Sequence, residues 1–253
     1  MRSTTCALLL IACEAENPVL LDAAVEALPA VEPSISTSEL EIDEQILFGS
    51  AAVLPRHRAV VAVVDPFGAC SGTLVRPNLV LTAAHCLSGP GPRFVMFGAD
   101  VSGAGATVVT VNQVSLHPQY NPNTLENDLA MLTLARSVTN VTPILPATTL
   151  HPLRQADIGR TGEAIGYGED ENGNTLRRLR TDVPIIGMFP DFVFTDNTQS
   201  GICFGDSGGP LVVRIDGTLR IAGVASFNSG LGCGDGEDAY TRLDAFTSWL
   251  ATF

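Results

Sequence analysis

The stretch "GICFGDSGGP", Gly201–Pro210, places one serine, Ser207, among four glycines, with Asp206 just before it and the apolar run "LVV" just after Pro210. Glycine adopts backbone turns that other residues avoid, so Ser207 is expected in a tight bend at the mouth of a strand. Read alone, such a stretch is a flexible loop. It acquires chemistry only beside a base. A serine hydroxyl is a weak nucleophile at its own pKa, and an imidazole near neutrality can take its proton.

Two earlier segments place reactive side chains in a similar setting. "LTAAHC" puts His85 just past an apolar run, and "LENDLAML" puts Asp128 at the start of another. Singly, a histidine at a strand end is a surface or core residue and an aspartate before a strand is a turn former. Together with Ser207 they supply what acyl transfer needs. The imidazole requires a carboxylate on its second nitrogen, to set the tautomer and stabilise the imidazolium. That carboxylate in turn needs its remaining lone pairs satisfied if it is buried. The glycines flanking Ser207 leave backbone N–H groups free to turn toward an oxyanion.

From Ile46 onward the chain consists of short apolar runs broken by glycine, proline and asparagine: "AVVAVV", "NLVLTAA", "TVVTVNQVSL", "DLAMLTL", "PLVVRI" and "RIAGVASF". Regular short strands of this kind indicate an all-β sandwich or barrel. Only the end reads as a helix, over about 244–253, where Phe246, Trp249, Leu250 and Phe253 fall on one helical face.

The 253 residues suffice for one large β domain or two lobes, and 45% hydrophobic with 16% charged residues describes a globular chain. A net charge of −13 argues against a nucleic-acid binder, which would show a clustered basic face. The start, "MRSTTCALLLIAC", residues 1–13, resembles an export signal, and Leu10–Cys13 resembles a bacterial lipoprotein processing site with a lipid anchor on Cys13. Residues 14–45 hold nine acids and no basic residue, and read either as a solvated linker or as a removable pro-segment. Beyond the signal, Cys70, Cys86, Cys203 and Cys233 allow three pairings. No C-x-x-C pair suggests zinc, so two disulfides in an oxidising compartment are expected.

In their order, His85 then Asp128 then Ser207, these motifs resemble the chymotrypsin/trypsin family of serine endopeptidases, which differs in this order from subtilisins and α/β-hydrolases. "VSLHPQYNPNTLENDLAML", "AIGYG", "GVASFNSG" and "DAYTRL" extend the resemblance over roughly 46–253. The resemblance implies two antiparallel six-stranded β-barrels, about 46–145 and about 146–241, with the active site in the cleft between them and a C-terminal α-helix. It implies that Ser207 is the nucleophile, His85 the general base, and Asp128 its orienting acid, supported by Ser226. It further implies an oxyanion hole from the N–H groups of Gly205 and Ser207, and Cys70–Cys86 and Cys203–Cys233 disulfides.

The family's precursors are cleaved ahead of an "IVGG"-like sequence, and the new amino group pairs with the acid before the serine. "ILFG" begins at Ile46, 24 residues before Cys70, so Ile46 and Asp206 are the expected activation pair, although Gln45 precedes the bond where a basic residue is usual. The resemblance assigns the substrate pocket to Gly201, Ile202, Ser226, Phe227, Asn228 and Asp238. Gly201 stands where arginine- and lysine-preferring members carry an aspartate. Asp238 stands at a usual wall glycine, either reaching the pocket from the opposite side or pointing to solvent. A protein or peptide substrate, an activating protease, no metal or cofactor, a monomer and an exported, bacterial protein complete the expectation. A catalytically weak binding module on the same fold is the alternative.

Overall fold

The computed structural model describes Ile46, residues 49–230 and residues 232–253. The chain divides at Leu40–Glu41, and all described residues belong to the second unit. The expected signal, Cys13 and the acidic segment lie outside the described residues.

The apolar runs form antiparallel strands as β-branched sequence favours. A two-residue strand, β1 (Ser50–Ala51), comes first. Six strands follow: β2 (Val60–Asp65), β3 (Gly68–Arg76), β4 (Leu79–Thr82), β5 (Phe94–Phe97), β6 (Thr107–Leu116) and β7 (Ala130–Leu134). They close as a barrel in the order β2-β3-β4-β7-β6-β5, which leaves no unpaired edge. A second set comprises β8 (Thr161–Gly166), β9 (Leu179–Met188), β10 (Phe192–Asp196), β11 (Pro210–Ile215), β12 (Thr218–Asn228) and β13 (Glu237–Arg242). Its order β9-β10-β13-β12-β11-β8 is closed by pairing of β8 with β9. The molecule is thus two closed six-stranded antiparallel barrels.

Period-two patterning is visible in β9, where Leu179, Thr181, Val183 and Ile185 are buried and the residues between them face outward. In β2, Val60 to Val63 are all buried, because one face fills the barrel and the other is covered. One apolar cluster fills the first barrel and continues into Ile165, Tyr167, Val212 and Val224 of the second half. A separate cluster around Val183, Ile185, Val193, Leu211 and Tyr240 fills the second barrel.

Segments on either side of the barrel strands cross over between the barrels. β1 precedes the first barrel in sequence yet pairs with β9, through Ser50–Arg180 and Ala51–Leu179. At the other end, Leu243 and Phe246 are buried in the first cluster, and Trp249 and Phe253 pack against it. The helix is shorter than the 244–253 expected: α1 spans Thr247–Leu250 after a 3-10 turn at Leu243–Phe246. The Asp244 carboxylate in that turn accepts from Leu153 N–H and the Arg242 guanidinium, which ties the turn to both neighbouring segments. The apolar stripe is nevertheless used. Phe246 and Trp249 meet the buried His117 ring at 5.2 and 5.3 Å between ring centroids, a structural role for that histidine. Among the described residues no helix is long and apolar enough to cross a membrane.

Candidate active site

His85 opens a 3-10 turn, His85–Leu87, directly after β4. Cys86 in that turn is bonded to Cys70 on β3, and Cys203 is bonded to Cys233. Among the three pairings that four cysteines allow, this is the one formed.

Asp128 lies two residues before β7 and is fully buried. Its carboxylate accepts three hydrogen bonds: from His85 N–H at 2.9 Å, from His85 Nδ1 at 2.6 Å and from Ser226 Oγ at 2.6 Å. An ionised carboxylate only accepts, so Nδ1 must carry the hydrogen and Nε2 presents its lone pair to the cleft. Ser226 comes from β12 in the second barrel, so the imidazole of the first barrel is oriented by a contact that spans both.

Ser207 is half-buried in the turn before β11. Its carbonyl accepts from Ser71 N–H of β3 at 2.8 Å, docking the serine loop onto the first barrel. Cys86 Sγ lies 3.6 Å from that carbonyl and 3.8 Å from His85 Nε2, which makes the imidazole and the serine loop neighbours. Ser207 Oγ forms no hydrogen bond to Nε2 here; such contacts often tighten only with substrate bound. Gly205 has φ +96°, a left-handed conformation. Its carbonyl is turned to Ser71 Oγ at 3.0 Å. Among the described residues nothing accepts from the N–H groups of Gly205 or Ser207, which leaves both available.

Asp206, next to Ser207, is also fully buried. Gly168 N–H donates to Oδ1 at 2.8 Å and Cys203 N–H to Oδ2 at 2.9 Å. Burial pushes its pKa up to about 7, against the pull of those two donors, with the Asp238 carboxylate adding to the rise. A Cβ on Gly166 or Gly168 would lie 2.0 or 2.5 Å from this carboxyl group, so both positions need glycine. Ile46 is buried as well, but in the uncleaved chain its nitrogen is a peptide nitrogen.

Beside Ser207 opens a cleft of about 300 Å³, walled by Ile202, Ser226, Phe227, Asn228 and the Cys203–Cys233 disulfide. Asp238 neither reaches into it freely nor points to solvent. It is fully buried behind the wall, taking hydrogen bonds from Ile202 N–H at 2.9 Å, Asn197 Nδ2 at 2.7 Å and Asn228 Nδ2 at 3.0 Å. Burial raises its pKa despite those donors. Gly201 is what makes room: a Cβ there would lie 2.2 Å from Asn197 Cβ and 2.6 Å from Asp238 Oδ2. The glycine and the acid are therefore one steric unit.

Three polar residues at this site gave no signal in the sequence. Ser71 accepts from Tyr167 N–H and donates to Gly205 O; Thr82 donates to Ser71 O; Asn197 braces Asp238. Their roles arise from contacts between segments far apart in the chain. The one cluster of metal-type ligands among the described residues, Cys70, His85 and Cys86, has both sulfurs in a disulfide, which removes the thiolates a metal needs.

Comparison with known proteins places this arrangement. A family model described as Trypsin matches residues 47–250. Brachyurin from Leptuca pugilator is 33% identical over 216 residues, covering 78% of this chain and 92% of its own. Chymotrypsin from Phaedon cochleariae is 32% identical over 246 residues, covering 88% and 86%. A solved structure titled human heparin binding protein superposes with a TM-score of 0.71 at 26% identity, covering 82% of this chain and 96% of that one. These relatives come from animals and give no support to a bacterial origin or to a lipid anchor at Cys13. The chain belongs to the trypsin family of chymotrypsin-like serine proteases.

Proposed function

We propose that this chain is an active serine endopeptidase, exported and made as a precursor. The observation that carries the reading is the Asp128 carboxylate, which binds His85 N–H, His85 Nδ1 and Ser226 Oγ at once. A binding module would have no need to hold an imidazole in one tautomer beside a serine. In this reading His85 Nε2 takes the Ser207 Oγ proton as that oxygen attacks the scissile carbonyl. Asp128 stabilises the imidazolium, and the N–H groups of Gly205 and Ser207 receive the oxyanion. His85 then returns the proton to the leaving amine, and water releases the acyl group by the same steps.

Covalent labelling with a serine-directed phosphonate tests the assignment. Labelling should require both Ser207 and His85, and Ser207→Ala should lower kcat by about 10⁶, the loss known for a nucleophile in a related triad. Near-normal turnover by Ser207→Ala would refute it. No labelling of protein beginning at Ile46 would favour the binding module.

The pocket points to an uncharged residue before the scissile bond. Both oxygens of Asp238 are already engaged by neutral donors, and the cleft is walled by Ile202 and Phe227. Peptides with leucine, methionine or phenylalanine at that position should be cut faster than those with arginine. The reverse order would refute the preference.

A further inference from the structure

A second cleft, of about 400 Å³, is larger than the one beside Ser207 and lies away from it. Four segments meet there. Arg58 comes from the 3-10 turn Pro55–Ala59, Gly98 and Thr107 flank the loop between β5 and β6, Asn140 follows β7, and Arg178 precedes β9.

Its charge runs against that of the molecule, which carries a net −13. Five arginines elsewhere meet acids, Arg56 and Arg180 at Glu163, Arg154 at Asp216, Arg160 at Asp157 and Arg242 at Asp244, while the less buried Arg76, Arg93, Arg214 and Arg220 donate to backbone carbonyls. Arg178 is only 6% exposed, and its side-chain partners among the described residues are all uncharged. Its Nε and Nη2 donate to Ala52 O at 3.2 and 3.1 Å, and Nη1 donates to Gly98 O at 3.0 Å and contacts the Tyr167 hydroxyl at 3.4 Å. Among the described residues these contacts leave one of its five N–H donors without a partner. Arg58, exposed at the rim, has neither an ion pair nor a hydrogen bond among the described residues. Among the described residues no acid lines the cleft. Asp100, in an adjoining hollow, is held by Ser102 N–H and Oγ. Burying a guanidinium without an anion is costly, and a bound anion would offset that cost.

We infer that this cleft binds a phosphate or sulfate group, free or as a monoester. Arg178 contacts the group from inside and Arg58 from the rim, while Thr107 Oγ1 and the Asn140 amide supply neutral donors. A tetrahedral dianion suits two guanidinium groups approaching from different sides better than a single carboxylate does.

The test is a titration of the full-length chain with inorganic phosphate, sulfate, phenyl phosphate and acetate, with chloride holding the ionic strength constant. The readouts are calorimetric binding and Tm. Phosphate or sulfate should bind saturably and raise Tm, and tighter binding of phenyl phosphate would identify the monoester as the preferred form. Arg58→Gln should weaken binding by about tenfold or more. Thr107→Glu, at the exposed rim, should abolish it by filling the site with a carboxylate. These two variants keep the test independent of Arg178→Gln, which removes a buried residue and can fail to fold. No saturable binding by the unaltered protein would overturn the inference. So would equal binding by Arg58→Gln, or acetate acting as strongly as phosphate.

Discussion

Asp128 receives three hydrogen bonds on two oxygens, and two of them, from His85 Nδ1 and Ser226 Oγ, converge on Oδ2. Asp128→Asn must place an NH₂ group where His85 or Ser226 now donates, which favours the wrong imidazole tautomer with little change in shape. The expected loss in kcat is about 10⁴, as in the serine-protease template, with Tm nearly unchanged. Peptide-amide kinetics alongside a thermal melt would check both. Asp238 illustrates a different kind of residue effect. Asp238→Asn turns an acceptor of three hydrogen bonds into a group that accepts fewer and sets its NH₂ donor to donor against either Ile202 N–H or both Asn197 and Asn228. It should distort the pocket wall and lower kcat/KM for every peptide in a panel. A selective loss for basic peptides would show instead that the acid reads charge directly. The sequence could single out Asp128 because its motif is local. It could not orient Asp238, whose three partners come from separate loops.

At the scale of elements, the 3-10 turn Pro55–Ala59 is fastened to the second barrel by charge. Glu163 on β8 takes Arg56 at 3.1 Å, His57 Nε2 at 3.0 Å and Arg180 Nε of β9 at 2.8 Å. Leu54 N–H donates to His57 Nδ1 at 3.2 Å, which leaves the hydrogen on Nε2, directed at Glu163. Burial alone would raise the Glu163 pKa, but His57, Arg180 and Arg56 bring it down to about 2. A carboxylate with a lowered folded-state pKa contributes stability above its unfolded value, lost as pH falls through the folded one. The window here runs from about 4.5 down to about 2. Glu163→Gln should therefore cost about 2 kcal/mol at pH 7, after discounting for the solvent-screened Arg56, and much less near pH 2. Urea unfolding at the two pH values measures the difference; an equal cost at both would refute the electrostatic account. None of these partners stands near another in sequence except Arg56 and His57, so no motif announced the cluster.

For the molecule as a whole, the consequential charge is Asp206, buried with no cation beside it among the described residues. Its pKa is raised to about 7 from an ordinary 3.8. Folding therefore favours its protonated form, and its contribution is fully present below pH 3.8 and lost as pH rises toward 7. The loss is on the order of a few kcal/mol. Uncleaved Ser207→Ala protein, which cannot cut itself, should lose Tm between pH 4 and 7. The Asp206→Asn, Ser207→Ala double variant should lose clearly less. Parallel curves for the two would refute the assignment. Under the precursor reading, cleavage ahead of Ile46 creates an α-amino group able to pair with this acid, so the processed form should show a flatter pH dependence than the precursor.

What the sequence determined by itself was the local grammar. Short β-branched runs between turn formers specify strands, and three short motifs in order specify the family and its pair of barrels, because each is contained within a few residues. What only the tertiary structure decided were the relations between distant segments. The crossing of β1 to the second barrel, the shortened α1, the buried Asp238 behind its pocket wall, the Glu163 clasp and the cationic cleft at Arg58 and Arg178 all depend on groups that closure of two barrels brings within a few ångströms. Burial and hydrogen-bond partners belong to that closure, so neither composition nor spacing along the chain can state them.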